Sequence, residues 1–331
     1  MQHGGRVSEQ ARLQYFPISF FSMVMGLSGF TIAAERAEEM FALSFRFSIV
    51  VLALSAILFV VLTAAYGAKV IRFRQSVAEE LDHPVTLSLF PTFSISLILL
   101  SIAMLPFSGR GSLVLCIVGT ALHLALTLLV LSRWINHTAF DIQHSNPSWF
   151  IPVVGNILVP IAGIPHGFRE ISWFFFSVGL LFWVVLLTIV VYRVIFYPPL
   201  PERLVPTFFI LIAPPSVGFI SYFKLTGSLD VFGRILFYAA MFFMALLLSL
   251  FRKFVGIRFF LSWWAYSFPI AAFAIASMLM YRQVQNVFFL VLSMVMLTLL
   301  PAVIMMLTCK TLAAVGDKRI CVADSVEPVC P

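Results

Sequence analysis

The chain has 331 residues, of which 61% are hydrophobic and only 11% are charged, and its formal net charge is +7. Soluble proteins carry about 25% charged residues, so this composition excludes a water-soluble globular protein and indicates an integral membrane protein. The excess of arginine and lysine is typical of the loops that orient a membrane protein. It therefore does not indicate a nucleic-acid partner.

Ten apolar runs are long enough to cross a bilayer as helices, because a hydrocarbon core of about 30 Å needs roughly 20 residues. The loops between them are too short for a separate catalytic domain, so we predict that the protein is not an enzyme. We expect a cytoplasmic N-terminal segment at 1–15, a ten-helix domain at 16–310 and a cytoplasmic C-terminal tail at 311–331. The runs lie at 16–34, 47–67, 84–105, 112–132, 147–165, 171–192, 204–223, 233–250, 259–280 and 286–308.

The arginines and lysines predict the orientation of these helices. An even number of helices places both termini on one side of the membrane, and two thirds of the 21 basic residues fall on that side. By the positive-inside rule, both termini are cytoplasmic. The first residues lack the pattern of a cleaved signal peptide, so the first run is expected to stay as a helix. We predict a multi-pass protein of the cell (inner) membrane.

Prolines recur at one place in the odd-numbered runs, which read YFPIS, LFPTF, FIPVV, IAPPS and SFPIA around Pro17, Pro91, Pro152, Pro214 and Pro269. Proline removes a helix hydrogen bond and bends the helix. One such kink can be a packing feature. Five kinks in alternate helices predict an all-α fold of five helical hairpins around a pseudo-fivefold central pore, with the kinked odd helices inside.

The polar groups near these prolines are hydroxyls and one amide. Coupled carriers usually need an intramembrane acid or base, so the absence of ionisable residues from the odd runs favours a passive pore. The hydroxyls and the amide either hydrogen-bond a partly dehydrated ion without holding it tightly or satisfy backbone groups that the kinks free. These candidate pore-lining residues are Ser19, Ser22, Thr92, Ser94, Asn156, Ser216 and Ser267.

The few ionisable residues in or beside the runs have structural interpretations. His123 is the only one within the predicted spans, and we expect it to hydrogen-bond a neighbouring helix rather than to relay protons. Glu35, Glu38 and Glu39 form an acidic group on the outer side, which we expect to be a solvated loop rather than a metal site. We predict no metal ion and no cofactor.

Four blocks resemble, in order, segments of the family that joins the bacterial tellurite-resistance protein TehA to the slow-type anion channel of plant guard cells. They are DHPVTLSLFP (82–91), NPSWFIPVVGN (146–156), LIAPPSVG (211–218) and SWWAYSFP (262–269). The resemblance extends from about residue 14 to 310. Some bacterial relatives carry the names of tellurite-resistance or C4-dicarboxylate transporters, so the resemblance leaves the substrate open.

The resemblance implies one pore per protomer, homotrimers in membrane lipid and small inorganic anions as the transported partner. It also implies that Phe268 plugs the pore and that Phe90 lies in the pore wall. Pro269 would then aim the ring of Phe268 at the axis, where the ring blocks ions until it rotates away. On the alternative interpretation, Phe268 is one of 36 phenylalanines that pack against lipid or neighbouring helices. No long N-terminal region of the plant type is seen, so gating by phosphorylation is not expected.

Two functions compete. The first is an anion channel that conducts chloride and nitrate passively, and the second is a secondary carrier that exports C4-dicarboxylates or oxyanions such as tellurite. The missing intramembrane charge and the fivefold repeat favour the channel. Without a strong binding site, weakly hydrated anions should pass more readily than chloride. The cytoplasmic rim that would attract them contains Arg72, Arg74, Arg252, Lys253 and Arg258.

Overall fold

The computed structural model describes residues 9–136 and 140–321, and ten helices within these ranges are long and apolar enough to span a membrane. We number them α1 to α10. Short helices at Glu9–Gln14 and Arg74–Asp82 precede α1 and α3. The spanning helices are Ile18–Met40, Phe47–Arg72, Leu87–Met104, Gly109–Asn136, Pro147–His166, Arg169–Phe196, Glu202–Thr226, Val231–Ser249, Leu261–Val284 and Val287–Gly316.

The odd-numbered helices form a closed ring. Helix α1 packs against α3, α3 against α5, α5 against α7, α7 against α9, and α9 returns to α1. Each even helix packs against the odd helix before it and also touches the next odd helix in the ring. The most apolar stretches of the odd helices are 78% to 94% buried, whereas those of the even helices are 22% to 33% buried. The predicted architecture of five hairpins, with the odd helices inside, is confirmed.

The even helices present apolar side chains to the outside of the ring. Ile57 on α2, Leu181 on α6, Phe242 on α8 and Met305 on α10 are each more than 60% exposed. Such a surface is unfavourable in water and suits the hydrocarbon of a bilayer. The even helices are therefore apolar all round, because one side faces lipid and the other faces the inner ring.

The prolines mark a change of helix geometry in the inner helices. In α7 a 3₁₀ segment, Glu202–Ile212, is followed by an α-helical segment with Pro214 near its start. In α9 the 3₁₀ segment Leu261–Tyr266 is likewise followed by an α-helical segment with Pro269 in its first turn. Proline suits this position because its missing N–H would have no partner in the first turn.

The other three inner helices vary this arrangement. Pro91 lies between the 3₁₀ turn and the α-helical part of α3, and Pro152 follows the 3₁₀ turn of α5. In α1, Pro17 directly precedes the 3₁₀ turn. The bend predicted at each proline stays a prediction. Each of these prolines lies at the change from 3₁₀ to α-helical geometry or at the start of its helix.

Several helices are longer than the apolar runs that predict them. Helix α1 ends at Met40, so Glu35, Glu38 and Glu39 lie in its last turns, and the expectation of a solvated loop is wrong. Glu35 is buried, and Glu38 accepts hydrogen bonds of 2.7 and 2.6 Å from the backbone N–H and the hydroxyl of Ser48 on α2. Because α2 supplies hydrogen-bond donors, the carboxylate of Glu38 can lie in the last turns of α1. Composition alone would place it in a solvated loop.

The last helix also continues past its predicted end, to Gly316. The predicted cytoplasmic tail therefore begins within a helix. Residues 1–8 of the predicted N-terminal segment and residues 322–331 of the tail lie outside the described residues.

Helices α4 and α5 approach closely at Gly155. His123 of α4 is fully buried there, its Nε2 donates to the carbonyl oxygen of Pro152 at 3.1 Å, and its Nδ1 lies 2.9 Å from Ser94 Oγ on α3. The predicted hydrogen bond from His123 to a neighbouring helix is confirmed. A Cβ atom on residue 155 would overlap the imidazole ring and come within 2.7 Å of Ile95 Cγ1.

We therefore expect Gly155→Ala to destabilise the fold by about 1–3 kcal/mol, the usual cost of overpacking a core. Thermal unfolding of the purified protein in detergent measures this loss. Gly67→Ala is the matched control, because a Cβ atom at Gly67 on α2 meets nothing within 4 Å. Equal melting temperatures for the two variants would contradict the close packing at Gly155.

Candidate functional site

A narrow cavity lies on the axis of the inner ring. Its volume is about 50 Å³, which leaves room for only a few water molecules. All five inner helices contribute to its wall, as expected for a central pore. The lining residues are Gly29, Ile32 and Arg36 of α1, Leu99 and Ile102 of α3, Leu158 and Ile161 of α5, Val217, Ile220 and Lys224 of α7, and Phe268, Ala272 and Ile275 of α9.

These residues form layers along the axis. We call the side of the ring that carries both chain termini the terminal face and the opposite side the distal face. Phe268 lies at the deep end of the cavity, and Lys224 and Arg36 lie at the distal end. Gly29 and Arg36 of α1 both line the cavity and are seven residues apart. Seven residues span about 10 Å along a helix axis, so the cavity is about two helical turns deep. Between its two ends the wall is aliphatic.

Phe268 lies in the wall of this cavity. Its side chain is 8% exposed and lines the cavity, one residue before Pro269 at the start of the α-helical part of α9. A Cβ atom on Gly29 of α1 would lie 3.3 Å from Phe268 Cδ2. Glycine at this position therefore allows the ring to pack closely against α1. Among the predicted gate and pore-lining residues, Phe268 is the one that the structure places in this cavity.

The predicted pore-lining hydroxyls do not line this cavity, and all except that of Ser19 lie within hydrogen-bond distance of a backbone carbonyl group of their own helix. Thr92, Ser94, Ser216 and Ser267 are fully buried, and Ser19 and Ser22 are partly buried. A hydroxyl group has one proton, so a hydroxyl that donates to a carbonyl has none left for a passing ion. The bonds are Ser22 to Ser19 (2.6 Å), Thr92 to Leu89 (2.6 Å), Ser216 to Ile212 (2.8 Å) and Ser267 to Trp264 (2.6 Å). The Ser94 hydroxyl has two acceptors for its one proton, the carbonyl oxygen of Pro91 at 3.0 Å and His123 Nδ1 at 2.9 Å.

Asn156 also binds a carbonyl group near a proline. Its Nδ2 donates to the carbonyl oxygen of Pro152 at 2.9 Å and to Thr127 Oγ1 at 3.2 Å, while its Oδ1 is buried without a hydrogen-bond partner. Thr127 and His123, both on α4, donate to the same carbonyl oxygen. The Pro152 carbonyl is thus engaged with α4 and Asn156. A role for Asn156 or the hydroxyls in lining a pore stays a prediction.

Two cations lie at the distal end of the cavity, and neither was predicted from the sequence as a site residue. Arg36 and Lys224 lie beyond the predicted ends of their runs, but α1 and α7 continue to Met40 and Thr226. The expectation that the odd helices hold no ionisable residue is therefore wrong at these ends. The signal that could have revealed them is helical spacing, since Gly29, Ile32 and Arg36 share one face of α1.

The two cations differ in their partners. Arg36 Nη1 lies 2.9 Å from Glu39 Oε2, and its Nη2 lies 3.8 Å from Glu35 Oε1. Lys224 is exposed, and within residues 9–136 and 140–321 its ammonium group has no ion pair or hydrogen bond. The cavity wall contains both basic residues and no acidic residue among the described side chains.

Comparison with known proteins agrees with this geometry. The family model described as voltage-dependent anion channel matches residues 15–312. The chain belongs to the voltage-dependent anion channel family. The resemblance inferred from the four blocks is thereby confirmed, and this channel-family chain is a multi-pass membrane protein with ten spanning helices in the described ranges.

Relatives of this channel-family chain come from plants and archaea. The S-type anion channel SLAH2 of Arabidopsis thaliana is 29% identical over 289 residues, which are 85% of this chain and 56% of SLAH2. The guard cell S-type anion channel SLAC1 of the same plant is 26% identical over 272 residues, 79% of this chain and 49% of SLAC1. An uncharacterized transporter of Methanocaldococcus jannaschii is 25% identical over 297 residues, 82% of this chain and 87% of the transporter. The chain thus spans about half the length of these plant channels.

Other predicted features of this channel-family chain lie away from the cavity. Phe90 is 9% exposed and packs edge to face against Tyr66 of α2, with ring centroids 6.4 Å apart. Its role as a pore-wall residue stays a prediction. The basic residues of the predicted rim are exposed near the terminal face: Arg72, Arg74, Arg252, Lys253 and Arg258.

His83 lies at the terminal face, just before α3. Burial lowers the pKa of His83, and the nearby charges of Arg203 and His144 lower it further. Its Nδ1 accepts hydrogen bonds of 3.3 Å from the backbone N–H groups of Val85 and Thr86. A neutral imidazole is required for Nδ1 to accept, so His83 orders the entry to α3 of this channel-family fold as an uncharged group.

Proposed function

We propose that the chain forms a passive anion channel whose ions cross along the axis of the inner ring. The observation that carries this proposal is the axial cavity, to which all five inner helices contribute. Among the described residues, Arg36 and Lys224 are the only charged ones that line it. Positive charge at the mouth of a narrow pathway attracts anions and repels cations. The names of the plant relatives, which are S-type anion channels, support the same conclusion.

We further propose that Phe268 is the gate. Its ring lies at the deep end of a cavity that holds only a few water molecules. An apolar constriction of this size excludes water and so blocks a hydrated ion. This structure corresponds to a closed pore on this proposal.

The orientation and assembly are also part of the proposal. The arginine and lysine distribution assigns the terminal face to the cytoplasm and the distal face to the outside. The resemblance to the family implies a homotrimer in membrane lipid, with one pore in each protomer. Chemical cross-linking of the purified protein tests the assembly, because a trimer gives a ladder that ends at three chains.

A carrier is the second candidate, because Arg36 and Lys224 together could hold a dianion such as a C4-dicarboxylate. Sites for small organic molecules usually have volumes of about 300–1,000 Å³, whereas this cavity has about 50 Å³. The cavity is therefore better suited to a small inorganic anion, which favours the channel.

Electrical recording from the purified protein in lipid bilayers separates the two candidates. A channel gives an anion current that reverses at the equilibrium potential of the permeant anion. A carrier gives tracer uptake that saturates and depends on a coupled gradient, with no such current. The Phe268→Ala variant is recorded beside the native chain, so that a closed gate is not mistaken for a missing pore. No anion current from either protein, with saturable uptake, would reject the channel.

We expect nitrate to be more permeant than chloride. The middle of the cavity is aliphatic, so an anion that crosses it loses hydration, and the larger, weakly hydrated nitrate ion loses less free energy. With chloride on one side and nitrate on the other, a threefold preference shifts the reversal potential by about 30 mV. A preference for chloride, or for the smallest halide, would contradict dehydration as the basis of selectivity.

A further inference from the structure

We propose that the distal end of the cavity is a binding site for one small monovalent anion, in which Lys224 is the principal ligand and Arg36 is the second cation. The proposal rests on the anion-channel function and adds to it a site at which the ion pauses before it reaches the Phe268 ring.

The arrangement of the two cations makes this a site rather than a general surface charge. Arg36 is on α1 and Lys224 is on α7, which are separated by α9 in the inner ring. Both side chains nevertheless line one cavity of about 50 Å³. An anion at the mouth of this cavity therefore meets positive charge from two separate helices.

The surrounding charges explain why Lys224 is the principal ligand. Lys224 interacts electrostatically with Arg36, Glu39, Glu35 and Arg282. Among the described residues, however, no carboxylate lies within 4 Å of the Lys224 ammonium group, so Lys224 forms no salt bridge. Arg36 already donates to Glu39 at 2.9 Å. The ammonium group of Lys224 keeps all three of its N–H donors for a ligand.

The environment of the site also determines the class of ligand. The small volume admits a halide or nitrate ion and is far below that of pockets for organic molecules. Aliphatic side chains such as Leu158 and Ile220 form the wall below the cations. Lys224 is exposed at the distal face, so the anion keeps part of its hydration and can leave. Conduction requires binding of this weak kind.

The test compares variants in the Phe268→Ala background, in which the pore is expected to be open. Conductance is measured against chloride concentration on the distal side. Lys224→Gln should raise the half-saturating concentration about threefold, the size expected for a partly exposed ion pair, and Lys224→Arg should restore most of it. Arg234→Gln is the matched control, since Arg234 is an exposed cation on the same face, on α8, and does not line the cavity.

The outcomes separate this proposal from the channel itself. If the Phe268→Ala protein carries no anion current, the channel function is rejected. If it carries current and Lys224→Gln and Arg234→Gln behave alike at every concentration, the channel stands and the site is rejected. Arg36→Gln provides a second variant of the site, with a smaller expected effect because Arg36 is paired with Glu39. An effect of Arg36→Gln larger than that of Lys224→Gln would also overturn the assignment of Lys224 as principal ligand.

Discussion

Phe268→Ala is expected to raise the anion current roughly tenfold or more at a given voltage, which corresponds to a barrier lowered by at least about 1.4 kcal/mol. The substitution removes the only aromatic ring that lines the axial cavity among the described residues. Without the ring, water can occupy the deep end, and an ion no longer has to displace an apolar group to pass. Single-channel recording at symmetric chloride measures the increase and separates open probability from conductance.

A second phenylalanine on α9 supplies the control. Phe273 is fully buried, packs nearly parallel to Phe237 of α8 with ring centroids 6.0 Å apart, and does not line the cavity. Phe273→Ala removes the same ring from the same helix, so it should lower thermal stability by about 3–5 kcal/mol without raising the current. Equal currents from the two variants would show that loosening of α9, rather than removal of a plug, opens the protein.

The architecture was predictable because its signals are local in the sequence. Each spanning helix corresponds to a continuous apolar run, and proline restricts the backbone and removes an N–H donor wherever it occurs. Pro91, Pro214 and Pro269 therefore located the inner helices and the places where their geometry changes. Phe268, the adjacent residue, came from the family resemblance and not from the pattern itself. Its place in the cavity depends on how α1 and α9 pack.

The distal end of the site was not predictable, for a physical reason. A hydropathy scan ends a span at the first charged residue, but a helix in a pore protein continues where its charged side chains face water in the cavity. Arg36 and Lys224 are such residues. The hydroxyls near the prolines make local hydrogen bonds that the sequence analysis did not assign. Ser216 and Ser267 are close to the prolines in sequence, yet a carbonyl group in their own helix is the nearest acceptor.

The second large effect is expected at the terminal face, from Glu80→Ala. Lys69 of α2 is only 1% exposed, and its Nζ donates to Glu80 Oε1 at 2.7 Å and to the carbonyl oxygen of Phe16 at 2.9 Å. The hydroxyl of Tyr66 donates to the other carboxylate oxygen of Glu80 at 2.7 Å. Glu80 thus ties the short helix Arg74–Asp82 to the end of α2, beside the chain that enters α1.

Among the described residues, removal of Glu80 leaves the buried ammonium group of Lys69 with the carbonyl oxygen of Phe16 as its one remaining hydrogen-bond partner. Breaking a buried ion pair by removing one partner costs about 3–5 kcal/mol, so Glu80→Ala should lower the melting temperature of the detergent-solubilised protein strongly. The neighbouring exposed residue provides the control, and Glu79→Ala should change stability little. Lys69→Met in the Glu80→Ala background removes the unpaired charge and should recover part of the loss. If the double variant is no more stable than Glu80→Ala alone, the uncompensated charge of Lys69 is not the cause, and the lost packing of the short helix is.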